Sequence, residues 1–270
     1  ITALAPGFAY SENFDMDLAV INWTQGFNNG RAGYAVGRLA FDVYLDAFPF
    51  QTFSKGFSIR GFVLNPTLPT TGIGALGGVV KGFVGDNVWI GAQIHDGNAA
   101  SGSFDLDTIG EGEFLKAVEI GYTPSFGQRK SHLVQLTYWD KDARSMAGVS
   151  RGKGWAVSTA WKLNDSVFPF ARFGSSDGGA GVAAEEAFSA GVEISRPRGE
   201  VWTMGAGWAK PSEETFGPGL DDETVIEMSY KFSVAKNFSL MPDAQLIFNP
   251  ARNPGKSSVW VIGLRFILTL

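Results

Sequence analysis

The chain has no cysteine. That excludes disulfides, zinc thiolate sites and cysteine nucleophiles, and assigns no compartment. Charged residues are scarce, at 18% against about a quarter in an average domain. The basic residues are scattered and the formal net charge is −5, so the electrostatic footprint of a nucleic-acid binder is missing. No apolar run reaches the roughly 18 residues of a transmembrane helix, which excludes helical spans. The opening residues, ITALAPGFAY, carry no basic region, the first basic residue being Arg31, so an intact signal peptide is not expected there.

Signals for chemistry are equally thin. GIGALG (72–77) fits G-x-G-x-x-G, but NPTLPTT precedes it where a buried strand is needed and no helix follows. It reads as loop punctuation. The acidic loop 96–107, with Asp96, Asp105 and Asp107, lacks EF-hand spacing and reads as a solvated loop, with calcium as the lesser alternative. His95 and His132 are the only histidines, without a Gly-x-Ser-x-Gly elbow or a His-Glu-x-x-His motif. Catalysis would need one of them to join a serine and an acid in space. Neither a metal nor a cofactor is expected.

What is abundant is glycine (35) and phenylalanine (22), with eight tryptophans. Segments of alternating character, closed by Gly, Asn, Asp or Pro, read as strands of an antiparallel meander. Thirteen stand out: 17–27, 32–40, 76–84, 87–95, 113–122, 131–140, 153–163, 166–174, 185–195, 199–209, 222–234, 237–248 and 257–270. Their connectors alternate in length. Those at 28–30, 85–86, 164–165, 196–199 and 235–236 are short and 124–130 is somewhat longer; 41–75, 96–112, 141–152, 175–184, 210–221 and 249–256 are long. A transmembrane β-barrel has a reason for this pattern, with tight periplasmic turns and long extracellular loops.

Several strands carry one apolar face, such as Phe188, Ala190, Val192 and Ile194, or Ile226, Met228, Tyr230 and Phe232. A soluble sandwich would bury that face, so alternation alone does not decide. Aromatic spacing does better. Trp202 and Trp208 share one face six residues apart, as do Trp155 and Trp161, a separation of roughly 20 Å at strand rise. That approaches the ~25 Å band which aromatic girdles flank in outer-membrane barrels. With apolar faces toward lipid, the same phase turns Arg38, Lys81, Glu119, Lys162, Arg172, Glu193, Glu223, Glu227, Lys231, Asp243, Gln245 and Arg265 inward. So many charges in a dry core would cost several kcal/mol each. A water-filled lumen is therefore expected, with Trp89, Phe168 and Phe170 as stacking faces for sugars.

If the last strand ends in the periplasm, segment 17–27 starts outside, whereas bacterial barrels begin in the periplasm and have even strand numbers. An upward strand is then unaccounted for. Either residues 2–11 supply it, for 14 strands, or N-terminal strands outside this sequence bring the total to 16.

The ending MPDAQLIFNPARNPGKSSVWVIGLRF (241–266), with weaker matches at 35–50, 117–124 and 167–178, resembles the carbohydrate-selective porins of Gram-negative outer membranes, the OprB-type glucose porins. The resemblance implies a 16-stranded, up-and-down, all-β barrel in which residues 1–270 belong to one domain. It would admit monosaccharides by facilitated diffusion through a constriction of arginines and acids, partly built from infolded loops. Carried over by matching position are Arg38, Glu119, Arg172, Asp243, Gln245, Asn249 and Arg265, and 41–75, with Arg60 and Asn65, is the candidate infolded loop. The expected partners are outer-membrane lipid, lipopolysaccharide and small sugars, with a homotrimer as the assembly to test. The expected lumen residues are Arg38, Arg60, Lys81, Trp89, Glu119, Arg172, Glu193, Glu227, Asp243, Gln245 and Arg265. The alternatives are a general or ion-conducting porin, a barrel with an enzymatic or ligand-binding lumen, and a soluble carbohydrate-binding sandwich.

Overall fold

The computed structural model describes residues 20–51, 56–69, 74–98 and 108–269. Its strands are β1 (Ile21–Phe27), β2 (Ala32–Leu39), β3 (Ala75–Val84), β4 (Val88–Asp96), β5 (Phe114–Tyr122), β6 (His132–Lys141), β7 (Gly152–Trp161), β8 (Val167–Ser176), β9 (Ala184–Ser195), β10 (Val201–Pro211), β11 (Glu223–Ala235), β12 (Phe238–Phe248) and β13 (Ser258–Leu268). All thirteen form one sheet in chain order, each antiparallel to the next. Among the described residues β1 and β13 each have one neighbour. The strand proposed at 2–11 lies outside the described residues.

The sidedness is inverted relative to a soluble sandwich. Ile120 is 50% exposed and its cross-strand neighbours Ile90 and Leu136 share its face, whereas Glu119, one residue away, is 2% exposed. On β13, Ile262 is 83% exposed; on β11, Glu227 is fully buried. An apolar outside over a polar inside is stable only if the outside meets lipid, which rules out the soluble sandwich.

Aromatic rows bound the apolar surface. Near the long loops, Tyr138 pairs with Trp155, Trp155 lies 5.4 Å from Phe173, and Phe173 pairs with Phe188, which pairs with Trp208. Near the short turns, Trp202 stacks on Tyr230 at 4.3 Å and Tyr230 on Phe232 at 5.4 Å. Trp202 and Trp208 thus stand in opposite rows.

The alternation of connectors largely holds, with one departure: the turn 123–131 is longer than the loop 177–183. Lys162, inward by sequence phase, lies instead past the end of β7, in a turn, bonded to Asp165.

The connector between β2 and β3 runs back over the inner face of the sheet. Two short helices, α1 (Phe41–Tyr44) and α2 (Arg60–Val63), interrupt it. Its Phe48, Phe50, Phe57, Ile59 and Phe62 join Trp89, Leu133, Phe170, Val225 and Ile247 from five strands in the main buried cluster. Side chains on one face of a flat sheet stand parallel, with strands ~4.8 Å apart. Here Glu119 of β5, Gln135 of β6, Ser158 of β7 and Arg172 of β8 all bond Asp46. Four strands reaching one residue require a sheet concave toward it.

Close approach needs glycine at two places. A Cβ at Gly121 would stand 2.0 Å from the Trp89 ring, and one at Gly174 2.1 Å from Thr67 Oγ1.

Ile120→Arg places a charge on the lipid face and is expected to lower stability by ~2–4 kcal/mol. A urea titration of the protein folded into vesicles reads this. An unchanged midpoint would put Ile120 away from lipid.

Candidate functional site

Two sets of strand side chains hold the infolded segment. The first centres on Asp46, in left-handed conformation at φ 54°. Its carboxylate pairs with Arg172 and accepts from Ser158 Oγ at 2.9 Å, while its own N–H donates to Glu119. Arg172 also donates to Val63 O at 2.8 Å and Ser158 Oγ at 3.0 Å and lies over the Phe48 ring at 4.5 Å. It therefore ties both halves of the segment to β8. Glu119 further accepts from Lys81 Nζ at 2.8 Å, Trp89 Nε1 at 2.7 Å and Thr137 Oγ1 at 3.1 Å.

The second set lies on β11 to β13. Glu227 accepts the backbone N–H groups of Ser58 and Ile59, and Asp243 accepts Ser58 Oγ at 2.9 Å. Arg265 donates to Gly56 O at 2.6 Å and pairs with Asp243 at 3.3 Å; Ser229 Oγ donates to the same Gly56 carbonyl. Gln245 lies 3.4 Å from Asp243. An irregular segment inside a barrel must find partners for its backbone groups, and these side chains supply them.

The sequence implied that the inward charges stand in water. The structure amends this for many of them. Glu119, Arg172, Glu227, Asp243 and Gln245 are covered by the segment and bonded to it or to one another. Phe170, expected as a stacking face, is likewise buried, against Phe57 and Phe62.

Open space lies on the short-turn side of the segment, in a cavity of about 890 Å³. Its floor is Tyr44 and residues 47–51, and its wall reaches the turns through Gly30, Arg31, Arg129 and Lys130. Of the expected lumen residues, Lys81, Trp89 and Glu193 line it. Trp89 is 3% exposed, with its N–H committed to Glu119 and Lys81 over its ring at 5.2 Å. Arg60 is exposed on α2. Arg38 is buried and follows Gly37, whose φ of 134° interrupts the alternation of β2. Asn65 accepts from Thr67 and donates to Phe173 O, and Asn249 donates to Asp222 O at 3.2 Å.

Sequence reasoning missed Asp46, Gln135 and Ser158. The two strand residues sit on the inward phase of β6 and β7, but carry no charge to mark them. Asp46 lies in a loop without periodicity, and nothing in its neighbours marks it.

The other candidate chemistries do not assemble. His95 is buried near Phe41 on β4, while His132 bonds Ser131 and packs edge-on to Trp161 at the short-turn end of β6. Asp96 accepts from Asn98 and Thr108 within its own loop; Asp105 and Asp107 lie outside the described residues. Beside it, hydrogen bonds from Asn98 and Ser145 hold the Glu113 carboxyl below its usual range. No group of metal-binding side chains occurs among the described residues.

A sheet of this order, greasy outside and bridged inside by its second connector, defines a porin. Solved porins share the fold. Pseudomonas putida OprB, in a high-pH structure, superposes with a TM-score of 0.70 at 16% identity, over 91% of this chain and 71% of that one. A Rhodopseudomonas blastica porin carrying three substitutions gives 0.55 at 13% identity, over 91% of this chain and 75% of that one. No curated protein matches in sequence. Over residues 1–270 the chain matches the family described as carbohydrate-selective porin, OprB family, and it belongs to that family. It is a β-barrel protein of the Gram-negative outer membrane, a sugar porin, and a channel rather than an enzyme.

Asp46→Ala and Arg172→Ala each leave a buried charge without its partner and are expected to cost ~3–5 kcal/mol. The double variant should cost clearly less than the two single losses combined. Denaturant titrations of all three check this, and additive losses would show that the pair does not couple.

Proposed function

We propose that the infolded connector forms the constriction through which monosaccharides diffuse, and that the cavity beside it receives them on the periplasmic side. The observation carrying this reading is that the segment is fastened across the inner face at Asp46 and again at residues 56–59, with open space next to it. At about 890 Å³ the space falls in the ~300–1,000 Å³ range of small-molecule sites. Lys81, Glu193 and Gln51 offer hydrogen bonds to sugar hydroxyls, and Phe168 and Phe83 offer apolar faces. Contacts of this kind replace hydration and remain weak enough for release. Glu119, Arg172, Glu227, Asp243, Gln245 and Arg265 act as supports of the constriction. Arg38 stands at the base of the connector, and Arg60 meets solute on the far side.

We further propose that all 270 residues belong to one domain. The thirteen strands would be part of a closed barrel of 14 to 16, with 16 favoured by adding N-terminal strands. Contacts with lipopolysaccharide and a homotrimer belong to the same reading, as does operation without a cofactor.

In planar bilayers the protein should form channels whose current glucose and maltose reduce. Glu227→Ala frees the N–H groups of Ser58 and Ile59, so it should raise conductance and weaken the block by glucose. Channels indifferent to both sugars would sink the proposed constriction.

A further inference from the structure

The cavity on the short-turn side is unevenly charged. Its described lining holds Arg31, Lys81, Arg129, Lys130 and Lys231 against Glu193 as its carboxylate. The whole chain is net acidic at −5, so this excess runs against the overall balance. Arg31 pairs with Asp86 and Lys81 with Glu119, which offsets those two cations. Arg129 spends its guanidinium on neutral partners, donating to Phe126 O at 2.6 Å and lying 3.9 Å from the Phe126 ring centroid. Lys130 is exposed beside it. With Asp86 and Glu119 included, cations still exceed carboxylates by five to three.

Low-dielectric walls lined by one sign of charge focus the field and concentrate ions of the opposite sign. The same walls carry Phe83, Phe126 and Phe168, whose faces suit the C–H surface of a pyranose. We propose that this cavity is a binding site for monosaccharides bearing an anionic group, carboxylate or phosphate, and that it holds them more tightly than neutral sugars. The sugar ring would lie against the phenylalanines while the anion sits beside Arg129 and Lys130, with Lys231 adding to the field from across the cavity. This rests on the proposed sugar path through the same cavity and narrows its substrate class.

The test is channel block in planar bilayers by glucose, glucuronate and glucose 6-phosphate at 0.1 M and 1 M KCl. At 0.1 M the half-blocking concentration of the anionic sugars should be about fivefold below that of glucose. The gap should shrink at 1 M, where the Debye length falls from ~10 Å to ~3 Å. The variant Arg129→Gln/Lys130→Gln/Lys231→Gln should bring the anionic sugars up to the glucose value. A preference seen with one anion alone supports the proposal for that group. Equal block by all three sugars in the unmodified channel, or a preference that survives the triple variant, overturns the proposal and leaves the neutral-sugar path standing. Channels that no sugar blocks overturn both.

Discussion

The structure depends on one constraint, that a connector folded against the inside of a membrane-spanning sheet must have its backbone polar groups satisfied by the sheet's own side chains. Glu227 accepts two consecutive N–H groups, Arg172 donates to the carbonyl of Val63, Ser189 to that of Gly61, and Arg265 and Ser229 share that of Gly56. These residues come from strands distant in sequence. They meet on one segment because the sheet is concave, and the segment then fills the space the curvature creates.

The same constraint explains the combination of charge and burial. A buried carboxylate or guanidinium is costly unless paired and hydrogen-bonded. Asp46 and Arg172 supply each other, and Asp243 and Arg265 do the same. The phenylalanines of the segment pack around these polar points, at Phe48, Phe50, Phe57 and Phe62, so the inner face is a layered core on one side of the segment and solvent space on the other.

Much of this was legible in the chain. Period-two alternation located all thirteen strands, because a strand between lipid and lumen must switch environment at every residue. The phase gave the inward identity of Glu119, Arg172, Glu227, Asp243 and Arg265, and tryptophans six residues apart marked the two aromatic rows. The connector 41–75 stood out by length alone. Its contacts did not, since its irregular backbone carries no periodicity. Asp46 could not be distinguished from Asp42, and uncharged Gln135 and Ser158 gave no reason to be chosen over other inward residues.

Determined by the sequence itself were the membrane-facing surface, the strand order and the polar character of the inside, all consequences of local alternation and turn chemistry. The tertiary structure alone decided which inward groups meet water and which meet the segment. That division depends on the path of the connector across the inner face of the sheet, and such a path is set by long-range packing and hydrogen bonding that no local pattern encodes. Lys81 of β3 and Glu119 of β5 share one phase on either side of β4, yet one borders the cavity and the other is sealed beneath the segment.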